Sequence, residues 1–199
     1  VDLATGAVLT EVPLEPELFG EGLAVGEQQE LVQLTWTSGE AIRWDIGGDE
    51  PTRSGSFDYD GEGWGLTTVD SGDFVMSDGS NRLSVRSTGD FAVSSVFTVG
   101  RAGGAADRLN ELEWDGTQLW ANRYRSDEIL RIDLECGVVD GVLDASALTR
   151  RAAEISAAEG LVRDFTDDDV LNGIAERDGR LFLTGKRWPV LFEVTVPSG

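Results

Sequence analysis

Lys186 stands alone among arginines: of 16 basic residues, the other 15 are Arg. It lies in Thr184-Gly185-Lys186-Arg187-Trp188-Pro189. A lysine ammonium is a compact charge whose pKa a pocket can tune, which a guanidinium is not. Four more polar residues share a common local setting: Glu21 in Gly20-Glu21-Gly22-Leu23, Glu62 in Gly61-Glu62-Gly63-Trp64, Asn110 in Leu109-Asn110-Glu111-Leu112 and Asn172 in Leu171-Asn172-Gly173-Ile174. Trp36, Trp64 and Trp188 are near these residues or near Lys186 in the sequence. A carboxylate, an amide, an ammonium and several indoles are the ingredients of an apolar pocket with few directed polar groups. The competing reading is structural: polar groups at repeated positions also satisfy backbone donors between repeats. Some of the six tryptophans, Trp44 and Trp114 first among them, read as core packing.

Composition removes whole reaction classes. There is no histidine, so Ser-His-Asp and Cys-His machinery and histidine-ligated zinc are excluded. Cys136 is the single cysteine, so neither an internal disulfide nor a cysteine zinc cluster can form. Acid–base chemistry falls to carboxylates, Lys186, tyrosines or backbone groups. A net charge of −21 argues against nucleic acid and against anionic membranes as partners and could steer a cationic ligand such as a peptide amino terminus. No apolar run approaches the roughly 18 residues of a membrane span. Nothing at Val1 resembles a signal peptide, and a start at Val1-Asp2-Leu3 reads as a processed, trimmed or partial chain.

These residues need elements to position them. Phe74–Ser77, Arg82–Val85, Gln118–Ala121, Ile129–Ile132 and Arg180–Leu183 read as strands, and Asp58–Gly61, Ser71-Gly72, Asp78-Gly79, Asp115-Gly116 and Asp178-Gly179 as turns between them. The motifs recur at intervals of 41, 48 and 62 residues. A four-strand unit with a period of roughly 40–50 residues marks a β-propeller. The long last interval holds an alanine-rich helix near 145–160, and Asp167-Asp168-Asp169 reads as a solvated loop, with a cation site there the weaker reading. The expectation is one all-β domain over 1–199, with blades at 20–60, 61–108, 109–170 and 171–199. Val1–Gly6 reads as the third strand and turn of another blade, so residues 1–19 are expected to be the remnant of an incomplete first blade in a five-bladed propeller.

Seven segments, in order, resemble the plant and bacterial glutaminyl cyclases: Phe19–Leu23, Leu34–Trp36, Gly61–Thr67, Met76–Ser80, Leu109–Glu113, Asp169–Ala175 and Thr184–Pro189. The resemblance implies a five-bladed propeller that converts N-terminal glutamine to pyroglutamate with loss of ammonia and without catalytic zinc. Carried over residue by residue, it implies Glu21 as proton shuttle, and Asn110 and Lys186 as holders of the amide oxygen and its developing charge. The alternative role for Lys186 is to set the ionisation of Glu21 by charge proximity. Phe19, Trp36 and Trp64 would wall the pocket, and Tyr124, Glu62, Asn172 and Trp188 complete the expected substrate-binding set. The implied partners are peptides or proteins with N-terminal glutamine, and the implied protein is a monomer, secreted or periplasmic. No cofactor is expected for catalysis; a structural cation in the central channel remains open.

Two departures stand out. Where the family has tryptophan then glutamine, Ala121-Asn122-Arg123-Tyr124-Arg125 has tyrosine and arginine, and Arg125 is expected to favour acidic second residues. Nothing matches the family's Phe-Thr-Gln-Gly-like opening segment. Two alternatives from other classes are a non-catalytic propeller that binds peptide amino termini and a lactonase-like hydrolase with a central cation held by Glu21, Glu62, Asn110 and Asn172.

Overall fold

Short alternating runs close into four sheets, antiparallel but for one short parallel pairing, in the computed structural model, which describes residues 1–158 and 165–196. The first sheet is a meander of β1 (Gly20–Val25), β2 (Glu30–Thr35), β3 (Glu40–Asp45) and β4 (Thr52–Asp58). The second repeats it with β5 (Leu66–Thr68), β6 (Phe74–Ser77), β7 (Arg82–Arg86) and β8 (Val93–Thr98). A hairpin of β9 (Gly100–Arg101) and β10 (Gly104–Ala105) then extends the outer edge of the third meander, β11 (Leu109–Trp114), β12 (Leu119–Arg123), β13 (Glu128–Asp133) and β14 (Val138–Asp144). After helix α1 (Ser146–Ala158) come the three strands β15 (Leu171–Arg177), β16 (Arg180–Gly185) and β17 (Phe192–Val194).

Apolar residues fill both faces of the middle sheets, so the sheets stack in sequence as blades do. Val32, Leu34 and Ala41 pack on Leu66, Phe74 and Met76; Val75 and Leu83 pack on Leu109, Leu119 and Leu130; Trp120 and Ile129 pack on Leu171, Ile174 and Leu183. Each fully buried Leu or Ile contributes about 1.5–3 kcal/mol over an exposed one. The innermost strands lie side by side, β1 on β5, β5 on β11 and β11 on β15. Gly22 marks the closest approach: its amide donates to the Trp64 carbonyl at 2.7 Å, and a Cβ there would come within 2.4 Å of the Leu66 nitrogen.

Three innermost strands slip register at equivalent places. The irregularity lies between Gly20 and Leu23 in β1, Leu109 and Leu112 in β11, and Leu171 and Ile174 in β15. These intervals hold Glu21, Asn110 and Asn172. An extra residue in one strand breaks strict alternation and re-aims its side chain.

At the N-terminus the expected turn forms and the expected strand does not. Residues 1–19 contain no strand, but Asp2 closes a turn by accepting from the amides of Ala4 at 3.0 Å and Thr5 at 2.8 Å, as Asp133 does from Glu135 and Cys136. The described residues therefore form four sheets in a propeller-like arrangement. The helix covers Ser146–Ala158 of the expected 145–160, and residues 159–160 lie outside the described residues. The aspartate run is also not simply solvated. Asp169 is buried, its Oδ2 accepting from the Thr166 amide at 2.7 Å and hydroxyl at 2.9 Å, and its Oδ1 pairing with Arg187 Nε at 3.1 Å. No helix among the described residues is long and apolar enough to cross a membrane.

Candidate active site

Side chains from all four sheets meet at one cavity of about 200 Å³, lined by Phe19, Glu21, Trp36, Trp64, Asn110, Tyr124 and Lys186. Glu21 enters from the bulge of β1 and Lys186 from the turn after β16. Lys186 Nζ donates to Glu21 Oε1 at 3.2 Å, with the two side chains 29% and 12% exposed. Burial pushes the Glu21 carboxyl above the ordinary carboxylate range, and the charge and hydrogen bond of Lys186 pull part of that back. The result is a carboxyl that holds a proton more readily than an exposed one does, which suits a group that must both take and return a proton.

The turn that presents Lys186 is sharply built. The Lys186 amide donates to the Val170 carbonyl at 2.8 Å, the Trp188 amide donates to the Gly185 carbonyl at 3.1 Å, and Arg187 takes a φ of +60°. Lys186 Nζ lies 5.5 Å from the Phe19 ring centroid and 5.7 Å from that of Tyr124. Two ring faces thus attract the ammonium without taking up its N–H donors.

Trp188 is not at the cavity, against the expectation from sequence. Its ring lies on Gly185, where a Cβ would come within 2.3 Å, and its Nε1 donates to the Asp169 carbonyl at 2.8 Å. The chain reversal sends Lys186 toward the channel and Trp188 into the core with Trp120, Leu171 and Leu183, so Trp188 supports the turn from behind. Trp44 is buried as a core residue, and Trp114 packs on the core between the second and third sheets while donating to Asp70 Oδ1 at 2.8 Å.

Glu62 also lies off the cavity lining, but it fixes the lining. Its Oε2 accepts from Trp36 Nε1 and Trp64 Nε1, both at 2.8 Å. One carboxylate oxygen thereby sets the angle of two indoles. Tyr124 meets the Trp64 ring edge-on, 5.3 Å between centroids, and Phe19 meets Trp36 similarly at 6.2 Å.

Asn110 is 2% exposed, and its backbone is locked. Ser77 Oγ donates to the Asn110 carbonyl at 2.8 Å and accepts from the Gly65 amide at 2.8 Å. Its buried Oδ1 has no protein partner. That oxygen is an acceptor; toward a developing negative charge Asn110 can offer only its side-chain N–H group. Asn172 occupies the equivalent bulge of β15 but does not reach the cavity. Glu21, Glu62, Asn110 and Asn172 do not gather as a ligand set, since Glu21 is held by Lys186 and Glu62 by two indoles. Among the described residues no three His, Cys, Asp or Glu side chains are placed to hold a metal ion.

Two channel carboxylates escaped the sequence reading. Glu113 Oε1 accepts from the Glu176 amide at 2.7 Å, and burial raises its pKa to about 6. Glu111, within the β11 bulge, is raised to about 8 by burial first and then by the charges of Glu113 and Glu21. A folded-state pKa above the ordinary 4.5 means that stability falls as pH rises from about 4.5 to 8 and is level beyond. Glu111→Gln is therefore expected to match the parent at pH 4 and to exceed it by about 2–3 kcal/mol at pH 9, after discounting for channel solvent that touches the side chain. Urea midpoints at the two pH values check this, and equal gains at both would refute it.

The glutamine cyclotransferase family pattern matches residues 1–196. Glutaminyl-peptide cyclotransferase of Arabidopsis thaliana is 34% identical over 197 residues, which are 98% of this chain and 58% of that protein. The chain thus spans under two thirds of that relative's length. The crystal structure of Myxococcus xanthus glutaminyl cyclase superposes with a TM-score of 0.79 at 40% identity, over 89% of this chain and 72% of that one. Virginiamycin B lyase of Staphylococcus aureus superposes at 0.53 with 12% identity over 88% of this chain and 51% of that one, which is a likeness of fold alone.

Proposed function

Because the chain belongs to the glutamine cyclotransferase family, we propose that it converts the N-terminal glutamine of a peptide into pyroglutamate with release of ammonia. The observation that carries this reading is the Glu21–Lys186 pair, 3.2 Å apart, in the wall of a small aromatic cavity. At about 200 Å³ the cavity is below the ~300–1,000 Å³ of pockets for larger ligands, and it suits one folded-back side chain.

The neutral α-amine attacks the carbon of its own side-chain amide. A new C–N bond forms, the carbonyl becomes an oxyanion, and the attacking nitrogen carries a surplus proton. Glu21 removes that proton and delivers it to the amide nitrogen, whose bond to carbon then breaks as ammonia leaves. No water is consumed. Lys186 and Asn110 donate to the oxyanion, each such donor being worth about 3–4 kcal/mol in the transition state. Phe19, Trp36, Trp64 and Tyr124 hold the side chain against the amine, an effect of proximity and orientation. Neither proton transfer nor oxyanion binding in this scheme needs a metal.

The same reading makes the four sheets blades of a five-bladed ring. In support, β15 and β1 do not pack side by side as the other inner strands do, and the Glu21–Lys186 contact bridges the first and fourth sheets. A role on exported peptides, in the periplasm or outside the cell, is part of the proposal.

Glu62 enters as a positioning residue. Glu62→Ala is expected to raise KM for a Gln-initiated peptide about tenfold, with kcat within about threefold, because two charge-assisted anchors of the wall are lost. A change in tryptophan emission should accompany it. Unchanged KM with lowered kcat would refute that role.

The function itself is tested by ammonia release from a Gln-initiated peptide, with and without EDTA. Release that survives EDTA supports the metal-free cyclase. Release abolished by EDTA favours the cation-dependent alternative, and saturable peptide binding without ammonia favours a binding propeller.

A further inference from the structure

Two arginines follow directly on cavity-lining residues, Arg125 on Tyr124 and Arg187 on Lys186. Both take left-handed φ values, +54° and +60°, a conformation that costs a non-glycine residue about 1–3 kcal/mol and gathers at functional sites. Both reach the same turn: Arg125 Nη2 meets Asp168 Oδ1 at 3.2 Å, and Arg187 Nε meets Asp169 Oδ1 at 3.1 Å. That turn is pinned by Thr166 and by Trp188, whose Nε1 donates to the Asp169 carbonyl at 2.8 Å.

The two pairs differ in what they leave available. The Asp169 carboxylate is fully buried, so Arg187 is committed to structure. Arg125 and Asp168 are 57% and 68% exposed. Such a pair in water is weak, and another carboxylate can take the place of Asp168. The Arg125 guanidinium lies 5.6 Å from the Tyr124 ring centroid, and Lys186 Nζ lies 5.7 Å from the same centroid. Arg125 thus lies against a residue of the cavity wall without lining the cavity itself.

We propose that Arg125 selects peptides whose second residue is acidic. With the N-terminal glutamine in the cavity, the peptide leaves past Tyr124, and the carboxylate of its second residue displaces Asp168 from Arg125. The whole-protein charge of −21 acts in the opposite sense, repelling acidic peptides at long range, so this preference must be local. The proposal rests on the cyclisation reading above.

The test compares kcat/KM for ammonia release from Gln-Glu and Gln-Lys peptides with identical uncharged remainders, near physiological ionic strength, where screening acts over about 8 Å. Arg125→Gln is expected to lower the Glu:Lys ratio about fivefold, and Asp168→Asn, which frees Arg125, to raise it about twofold. Arg151→Gln and Glu154→Gln, a pair 3.0 Å apart on the exposed face of α1, make the same charge changes elsewhere and should leave the ratio within about 1.5-fold. An unchanged ratio in Arg125→Gln, or an equal change in the helix variants, overturns the selection. Absence of ammonia from every peptide overturns the cyclisation reading and the proposal with it.

Discussion

Replacing Glu21 with glutamine is expected to lower ammonia release by about 10³-fold while changing peptide affinity only a few-fold, as loss of a general acid–base group predicts. Glutamine keeps the size of the side chain and an oxygen for the Lys186 ammonium, which donates to Glu21 at 3.2 Å. It cannot carry a proton between nitrogens. Because the same carboxyl serves both the attack and the departure in the proposed reaction, both steps suffer. Glu21→Asp retains the carboxyl but withdraws it by one methylene, and it is expected to fall between parent and Glu21→Gln. Single-turnover ammonia release together with peptide binding by tryptophan fluorescence separates chemistry from affinity. A Gln variant within tenfold of the parent would remove Glu21 from the proton path.

Lys186→Met is the second large effect, and its pH profile separates two roles. As an oxyanion donor, Lys186 accounts for about 10²–10³-fold in kcat. As a neighbouring positive charge, it lowers the pKa of Glu21, which burial raises. Without Lys186 the Glu21 pKa rises further. Activity requires the ionised carboxyl, so the acid limb of kcat/KM should move to higher pH. A rate that is low at every pH with a shifted limb means both roles operate. Recovery to the parent rate at high pH would leave only the ionisation role, and an unmoved limb only the donor role. A limb displaced to lower pH contradicts both. Lys186→Arg keeps the charge but replaces a compact donor with a planar fork, and it is expected to restore the limb position more than the rate.

The fold was legible where local chemistry decides it. Asp78-Gly79 and Asp115-Gly116 turn with φ of +80° and +88° at the glycines, and Phe74–Ser77 is a strand with the boundaries that its apolar run suggests. Val1–Gly6 has the local pattern of a strand and turn; the turn forms from its own residues, but the strand has no ladder partner among the described residues. At the site, repetition in the sequence pointed to Glu21 and Asn110, which reach one cavity, but equally to Glu62 and Asn172, which do not. The local motif cannot distinguish these outcomes, because they depend on where each side chain lands in the stacked sheets. Trp188 sits two residues from Lys186, yet the left-handed Arg187 between them sends the two side chains apart. Glu111 and Glu113 were missed because their environment is made by neighbouring sheets, and their shared motif with Asn110 names no partner.

The contact between Glu21 and Lys186 joins residues 165 positions apart in the chain. One belongs to the first sheet and the other follows the central strand of the last, so the two meet across the whole span of the stacked sheets. The pair is thus a contact that no single sheet can make, and it exists only in the assembled tertiary arrangement. In the proposed reaction, chemical competence would therefore belong to the finished architecture and to none of its sheets taken singly.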